Sequence, residues 1–412
     1  MSLSRPVITV FEHQSLQVGH QYNGVLFTLS HWKSLVRMQA ARSLPYYSPT
    51  HNGIKLSHYV GVLKTPQLTL EILPKADAHS HPSAGVWRRF LVDMLAECRY
   101  LRVYTQHQAV ASQASATLLD IFLLDFLKEV AVLCQQGLIK QYCPVVKNAR
   151  SLKGRLLVAA HIRHNSIHRE RSFIQYQEHT LDHPMHRLLK RVLRLIPNLS
   201  SHTVVRRQAQ RLLPYFNEVS DRSAPSREVP FKNQRQTAPY RTAVEAAWQI
   251  LASDFANLYH SNTHQGFALL FDMNLLFEEF VYRRLQKISH SAGFTLQRQT
   301  SRSLWGETKV RPDIVVRLPE EQGTVVIDTK WKVLARPRPS AADLHQLYVY
   351  TQLFEARRGI LLYPDVHHLP PQRLPFEGPH RTSAEVGFVR ITDEKRGRLN
   401  PELDASLLHL LR

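Results

Sequence analysis

Short apolar runs separated by polar turns occupy the first part of the chain. They have the length and composition of β-strands and lie at residues 7–11, 24–29, 59–63 and 68–73. We therefore predict a β-rich N-terminal domain over residues 1–84, with a joint to the next region at residues 79–83.

Longer apolar stretches follow, and we predict that residues 85–265 are mainly helical. The most apolar stretch, at residues 118–134, is interrupted by four charged side chains and therefore favours a buried helix over a membrane span. No membrane partner is expected. The other elements predicted in this region are helices at 90–99, 115–135, 186–195 and 243–259, a β-rich insertion at about 138–174 and a polar loop at 220–240.

A further helical pattern begins the last third of the chain, at residues 274–285. Asn274 is the expected cap of this helix, and Gly293 lies beyond its end. The apolar stripe at helical spacing consists of Leu275, Leu276, Phe280 and Leu285.

Strand patterns follow that helix. Apolar segments at 314–316 and 325–327 are predicted to pair, and the second has the β-branched content of a central strand. A capping box at 340–343 begins another helix, and residues 359–363 predict a buried strand. This order is typical of a mixed sheet flanked by helices, predicted over residues 266–412. The predicted fold class of the whole chain is multidomain α+β.

The paired strands carry the most informative polar residues. Asp313 precedes the first strand, and Asp328 and Lys330 end the second. Side chains alternate along a strand, so Asp328 and Lys330 share a face and Thr329 points away. Two carboxylates beside a lysine suit phosphodiester cleavage, because the acids hold a hard divalent cation and the lysine orients or activates water. The alternative is an acid and a lysine weakly paired on a solvated hairpin.

Polar residues on the two neighbouring helices add to this set. Glu278 lies near the apolar stripe, from where it could reach a metal ion held by the strands. The alternative is that Glu278 and Glu279 are ordinary surface residues. Gln346 and Tyr350 lie four residues apart on one helix face, suited to lining a DNA groove or orienting water, unless that face is simply exposed.

The chain is strongly basic. Its 412 residues carry 53 Lys and Arg against 33 Asp and Glu, a formal charge of +20, which favours a polyanionic partner such as double-stranded DNA. We predict a DNA-facing surface in the middle region, between Lys140 and Arg235. It includes Arg187, Lys190, Arg191, Arg194, Arg206, Arg207 and Arg211.

Other sequence features predict the cellular compartment and whether this chain binds a nucleotide. Three cysteines without paired metal spacing and a polar N-terminus without a leader pattern predict a cytoplasmic protein. No G-x-x-x-x-G-K-[ST] run occurs, so this chain is not expected to bind a nucleotide itself. Four tryptophans are predicted to pack in or near the core: Trp87, Trp248, Trp305 and Trp331.

The residues at 311–313 and 328–330 match the PD-(D/E)xK nuclease motif, and four further stretches extend the likeness over nearly the whole chain, in order. The chain thereby resembles the McrC family, the nuclease subunit of McrBC-type 5-methylcytosine-dependent restriction systems. The matching stretches are Ile8 to Glu12, Gly61 with Leu70 to Lys75, Gly137 to Tyr142 with Leu152 to Arg155, and Met273 to Glu278. His186 stands where the family more often has asparagine.

The resemblance implies a role for each matching residue. Asp313 and Asp328 would hold Mg²⁺, with help from Glu278 and the carbonyl of Thr329, and Lys330 would be the catalytic lysine. Gln346 and Tyr350 would match the helix that follows the core motif, with Gln346 assigned to the catalytic set.

The resemblance also implies an activity and a partner. The chain would be a metal-dependent type IV restriction endodeoxyribonuclease subunit that leaves 5′-phosphates. It would stimulate a McrB-like AAA+ GTPase hexamer, which would read the modified cytosine. The alternatives are a non-catalytic DNA-binding adaptor that activates the motor, and a free-standing repair exonuclease of the same fold.

Overall fold

A computed structural model describes most of the chain, and the chain divides into two compact units. The first unit comprises residues 1–122 and 255–412, and the second comprises residues 123–254. The described residues are 6–42, 45–74, 84–101, 116–221, 236–253, 266–319, 323–334, 336–365, 367–377, 382–393 and 398–412. The predicted joint at 79–83, Lys75 and most of the predicted loop at 220–240 lie outside them. The three predicted domain ranges stay predictions.

The α+β class is confirmed. The helices are α1 (Leu29–Arg42), α2 (Ala84–Glu97), α3 (Leu118–Gln136), α4 (Val158–Asn165), α5 (Pro184–Leu199), α6 (Thr203–Leu212), α7 (Arg241–Ser253), α8 (Met273–Ala292), α9 (Ala341–Leu353) and α10 (Leu403–Leu411), with 3-10 turns at Leu213–Phe216 and Ala238–Tyr240.

Strands occur in both units. In chain order they are β1 (Val7–Phe11), β2 (Ser15–Gln17), β3 (Gln21–Tyr22), β4 (Val25–Leu26), β5 (Tyr47–Thr50), β6 (Gly53–Leu56), β7 (Tyr59–Lys64), β8 (Thr69–Leu73), β9 (Gln141–Ala149), β10 (Arg155–Leu156), β11 (Ser172–Thr180), β12 (Phe267–Asp272), β13 (Thr295–Arg298), β14 (Arg302–Trp305), β15 (Thr308–Val310), β16 (Ile314–Arg317), β17 (Thr324–Thr329), β18 (Ala356–Pro364), β19 (Gln372–Pro375), β20 (Ser383–Val389), β21 (Thr392–Asp393) and β22 (Arg398–Leu399).

The N-terminal part is β-rich as predicted, but it also contains a helix that the pattern did not predict. Only two residues of the predicted strand at 24–29 form β4, and α1 begins at Leu29. Trp32, Leu35 and Met38 recur every third residue and pack on the core of this region, which suits a helix.

A strand from the last third of the chain completes the N-terminal sheet. The strand order is β1-β8-β7-β12, and β12 pairs antiparallel with β7 from Phe267 to Asp272. Gly61 on β7 has a φ of +137°, and a Cβ there would lie 2.1 Å from Leu269 O. Only glycine permits that approach, so this residue is what lets β12 pair at the sheet edge. Helix α8 follows β12 directly.

A buried ion pair joins this sheet to α2. Glu71 is 0% exposed, and its carboxylate accepts from Arg88 Nε at 2.8 Å and Nη2 at 2.6 Å. Leu118 N and Thr9 Oγ1 donate to the same carboxylate, at 2.9 and 3.1 Å. Four donors thus satisfy one buried acid.

We expect Glu71→Ala to lower the free energy of unfolding by about 3–5 kcal/mol, because it leaves the Arg88 charge buried without its partner. Urea unfolding of the full chain measures this change. Glu307→Ala, which removes an exposed glutamate, serves as the control and should shift stability by less than about 0.5 kcal/mol. A cost below about 1 kcal/mol for Glu71→Ala would show that the pair stabilises little.

The last third of the chain forms the predicted mixed sheet. The strand order is β13-β16-β17-β18-β20-β19, with β17, β18 and β20 parallel and the other pairs antiparallel. Helix α9 connects β17 to β18 and packs on both strands. A Cβ at Gly359 would lie 2.6 Å from Leu347 Cγ, so glycine at this position lets α9 lie close to the sheet.

The second unit combines helices with a three-stranded sheet of order β10-β11-β9. The predicted β-rich insertion is present, but β11 runs on to Thr180 and helix α4 interrupts the strands. His186 is 0% exposed in this unit, with Nδ1 2.7 Å from Leu181 O and Nε2 3.3 Å from Tyr240 Oη. This histidine therefore packs inside the second unit.

Two further observations concern membrane-spanning helices and the state of the cysteines. Within the described ranges, no helix is long and apolar enough to cross a membrane. Cys98, Cys134 and Cys143 are free thiols, and burial raises the pKa of Cys98 and, to about 11, that of Cys134.

Candidate active site

The register of two strands brings the predicted acids together. Ile314 on β16 lies opposite Ile327 on β17, so Asp313 and Asp328, one residue further out on each strand, lie on the same face of the pair. Asp313 Oδ2 accepts from Thr329 N and from Thr329 Oγ1, at 2.7 Å each. These bonds tie the start of β16 to the end of β17.

Asp328 is the most perturbed acid at this point. It is 3% exposed, and its burial, together with the charge of Asp313, raises its pKa to about 6. Its Oδ2 atom is buried and accepts no hydrogen bond of normal geometry, although Lys330 Nζ lies 2.8 Å away as an ion pair. This carboxylate therefore carries a charge that its surroundings only partly satisfy.

Lys330 is held by acceptors from two elements. Its Nζ pairs with Asp328, donates to Gln346 Oε1 at 3.2 Å and lies 3.6 Å from Asp343 Oδ1. Burial alone would lower the pKa of Lys330, but the neighbouring carboxylates, chiefly Asp328, outweigh it and raise that pKa. The amine is therefore a cation at neutral pH, able to donate hydrogen bonds but not to accept a proton.

Gln346 and Tyr350 lie on one face of α9 as predicted, with Gln346 exposed and Tyr350 buried, and their roles at the site stay predictions. Ser340 caps the helix by accepting from Asp343 N at 3.2 Å. Gln346 Nε2 donates to Tyr350 Oη at 2.7 Å, and Tyr350 Oη donates to Arg311 O at 3.2 Å. A chain of hydrogen bonds thus leads from Lys330 to the backbone just before Asp313.

Glu278 on α8 lies close enough to Asp313 for the two charges to interact. Burial, and then the Asp313 charge, raises the pKa of Glu278. The glutamate accepts from Gln299 Nε2 at 2.8 Å and from Arg298 Nε at 3.2 Å. Arg298 also pairs with Glu279. Both glutamates are buried, so the surface alternative is wrong for each of them.

Two details of α8 differ from the sequence prediction. Asp272, not Asn274, caps the helix, and its side chain accepts from the backbone of Asn274 and Leu275. Leu275 is 57% exposed and does not belong to the buried stripe. The helix ends at Gly293, which has a φ of +75° as a left-handed cap.

The tryptophans fall into two groups. Trp87 and Trp331 are buried, and Trp248 is half-buried. Trp331 donates from Nε1 to Glu12 Oε1 at 2.8 Å, and its ring packs edge-on against Phe277 with centroids 5.4 Å apart. Trp305 is 83% exposed, so the prediction that it packs in the core is wrong.

Oxygen is the donor type that this site offers to a metal ion. Among the described residues, no group of three or more His, Cys, Asp or Glu side chains is arranged to hold a metal. The carboxylates of Asp313 and Asp328 nevertheless suit a hard divalent cation. Oδ2 of Asp328 is buried and accepts no hydrogen bond of normal geometry, so its lone pairs are left to bind a metal ion. The metal roles of Asp313, Asp328, Thr329 and Glu278 stay predictions.

The basic residues of the middle region are partly committed to ion pairs within the second unit. Lys190 is 7% exposed and pairs with Asp221 at 3.0 Å, so the prediction that it faces DNA is wrong. Arg194 shares Asp221 at 2.6 Å, and Arg187 pairs with Asp182 at 2.7 Å. The exposed members on α6 are Arg206, Arg207 and Arg211.

Comparisons with known proteins match most of the chain. The model of a family described as McrBC 5-methylcytosine restriction system component matches residues 54–364. A chain of the refined half-complex from the tetradecameric assembly of Thermococcus gammatolerans McrB AAA+ hexamers with bound McrC is similar with a TM-score of 0.73 and 19% identity, over 98% of this chain and 100% of that one.

A second solved structure shows a partial likeness. A chain of the cryo-EM structure of the Thermococcus gammatolerans McrBC complex has a TM-score of 0.53 and 20% identity, over 68% of this chain and 88% of that one. At these identities the likeness shows the fold alone. None of the curated proteins compared with the chain matches it.

Proposed function

Because the chain belongs to the family of McrBC 5-methylcytosine restriction system components, we propose that it is the DNA-cutting subunit of such a system. Its C-terminal mixed sheet would be a PD-(D/E)xK nuclease domain and would cut double-stranded DNA in a Mg²⁺-dependent reaction. The single observation that carries this proposal is the convergence of Asp313, Asp328 and Lys330 at the end of β17.

The acids would hold the metal ion. Asp313 and Asp328 lie on one face of the β16–β17 pair, and the carbonyl of Thr329 and the carboxylate of Glu278 are the further candidates. Mg²⁺, when bound, would offset charge on the reacting phosphate and make water a better nucleophile. Bound Mg²⁺ would favour the ionised form of Asp328 and so offset the raised pKa that burial and the Asp313 charge give this carboxyl.

Lys330 would act as a fixed cation. Its Nζ is anchored by Asp328 and Gln346, which limits its positions, and its raised pKa keeps it protonated. A protonated amine beside the scissile phosphate would stabilise developing negative charge and orient the attacking water by donating to it. Gln346, itself oriented by Tyr350, would position Lys330.

An assembly with a motor protein forms the second part of the proposal. The similar structure covering the whole chain comes from an assembly of McrB AAA+ hexamers with bound McrC. We propose that this chain likewise binds and stimulates a McrB-like AAA+ GTPase hexamer in the cytoplasm. The motor would bind the nucleotide and read the modified cytosine, since the sequence of this chain has no P-loop.

A metal titration of the chain with its AAA+ partner, GTP and methylated duplex DNA tests the cutting activity. We expect cleavage to rise with Mg²⁺, to vanish in EDTA and to leave 5′-phosphates at internal positions, because an oxygen-only site selects hard cations. GTP hydrolysis by the motor must be followed in parallel, since it also needs Mg²⁺.

Three results would contradict the proposal in different ways. GTP hydrolysis without nicking at any Mg²⁺ or partner concentration would indicate the non-catalytic adaptor. Digestion only from DNA ends, without partner or GTP, would indicate the repair exonuclease. Cutting that persists in EDTA would exclude metal dependence.

A further inference from the structure

Strands β14 and β15 form a short hairpin whose two ends lie at the candidate active site. Its two ends are joined there, because Gln299 N donates to Asp313 O at 3.0 Å. Gln299 also donates from Nε2 to Glu278 at 2.8 Å. The hairpin between residues 299 and 313 therefore stands beside the site's carboxylates.

The tip of the hairpin is apolar and open to solvent. Trp305 is 83% exposed and Leu304 is 47% exposed. The pairing register shifts between Ser303 and Trp305, a bulge of the kind that re-aims side chains next to active sites. A tryptophan normally buries about 150–250 Å² of surface, so an exposed indole leaves a large apolar contact unused.

The base of the hairpin is held against the C-terminal end of helix α9. The Arg302 guanidinium donates to Leu353 O and lies 4.8 Å from the centroid of the Phe354 ring. Ser303 Oγ donates to Gly306 O at 3.0 Å, which closes the turn. Trp305 therefore lies near the tip of a hairpin whose base and turn are held by hydrogen bonds. We call the hairpin, residues 300–312, the arm.

We propose that Trp305 inserts from a groove of duplex DNA between the base pairs beside the phosphodiester that is cut. This inference rests on the proposed nuclease function. The arm carries Arg302, Lys309 and Arg311 against the single acid Glu307, a charge balance that favours a polyanion. An aromatic face stacks on any base, and apolar wedges are a common way of holding bent DNA.

The contact would add affinity without sequence preference and would fix the cut strand relative to the carboxylates. Every base has a π-face, so an indole at this position does not distinguish bases. This fits a subunit whose target choice is assigned to its partner.

Binding of fluorescent duplex DNA to the full-length chain, measured by anisotropy with Ca²⁺ in place of Mg²⁺, tests the contact. We expect Trp305→Ala to weaken binding about 10-fold, the usual effect of losing one stacking contact. Trp305→Phe should stay within about 3-fold of wild type, because it keeps an aromatic ring. Leu374→Ala is the matched control, since Leu374 is an exposed apolar residue on β19 at the opposite edge of the sheet.

Indole fluorescence gives a second readout. Duplex DNA should quench more of the emission of wild type than of Trp305→Phe, since Trp305 is exposed, whereas Trp87 and Trp331 are buried and Trp32 and Trp248 are half-buried. The same variants tested for binding to the AAA+ partner separate the two kinds of macromolecule.

The results that would overturn the Trp305–DNA contact differ from those that would overturn the proposed nuclease activity. Unchanged DNA binding by Trp305→Ala, absent DNA binding by wild type, or a loss confined to the protein partner would each overturn the inference. If Trp305→Ala weakens binding but wild type never cuts with Mg²⁺, the nuclease proposal fails and the DNA contact stands.

Discussion

Asp328→Asn is expected to abolish DNA cleavage while the protein remains folded. Losing a carboxylate that we propose holds the metal should slow cutting by at least about 10³-fold, which corresponds to roughly 4 kcal/mol of transition-state stabilisation. Initial rates on methylated duplex DNA, with partner and GTP in excess, measure the effect.

Although Asp328→Asn should lose cleavage activity, its free energy of unfolding should not fall. The pKa of Asp328 is about 6, above its ordinary value of 3.8, so between those pH values the folded protein holds a proton that the unfolded chain releases. The contribution of Asp328 to stability therefore falls as pH rises through that window. The neutral amide lacks this cost, and Asp328→Asn should be at least as stable as wild type at pH 7.

Asp365→Asn is the matched control for this prediction. Asp365 directly follows β18, the strand beside β17, and accepts from Leu369 N at 3.3 Å. It does not contribute to the pKa shifts of Asp328 or Lys330. The control should cut at the wild-type rate. A folded Asp328→Asn that also cuts at that rate would remove the metal-binding assignment.

Lys330→Ala is expected to reduce cleavage by about 10²–10³-fold, because it removes the cation that we propose stabilises charge in the transition state. DNA binding and stimulation of the motor should survive, since among the described residues the Lys330 side chain contacts Asp328, Gln346 and Asp343. The measurements are the cleavage rate, DNA affinity in Ca²⁺ and the GTPase rate of the partner.

Lys332→Ala is the control for Lys330. Lys332 lies two residues further on and pairs with Asp343 at 2.9 Å, so it resembles Lys330 in charge and in one neighbour. Equal losses in the two variants would mean that local charge, and not a specific catalytic lysine, supports cutting. A loss of GTPase stimulation together with cutting would point to a role in docking.

The core of the site was predictable from sequence because it depends on local rules. Alternation along β17 places Asp328 and Lys330 on one face, and the helical repeat joins Gln346 to Tyr350. The capping box at Ser340 also indicated where α9 begins. These relations involve residues at most four apart.

Contacts between distant segments were not predictable in the same way. Glu12 binds Trp331 across 319 positions, and nothing in either local pattern indicates that they meet. Arg298 engages both buried glutamates of α8 through tertiary packing. Asp343 was predicted as a capping residue, but its second role beside Lys330 depends on the crossing of α9 over the sheet.

The errors have physical causes as well. Trp305 was assigned to the core because large aromatic side chains are usually buried, yet its place beside the Gly306 turn leaves it exposed. Helix α1 was missed because half of its fourteen residues are basic or polar, which interrupts its apolar stripe. Asp272 replaced Asn274 as a cap because β12 runs directly into α8.

Strand β12 links the candidate active site to the N-terminal sheet, because it pairs with β7 and runs directly into α8. In a fragment beginning at residue 266, β12 would be an unpaired edge strand prone to aggregation. Trp331 would also lose the Glu12 carboxylate that accepts its hydrogen bond. We therefore expect the proposed nuclease domain not to fold stably when it is separated from the N-terminal sheet. The pairing of β12 with β7 and the hydrogen bond from Trp331 to Glu12 thus connect the N-terminal strands to the residue next to Lys330.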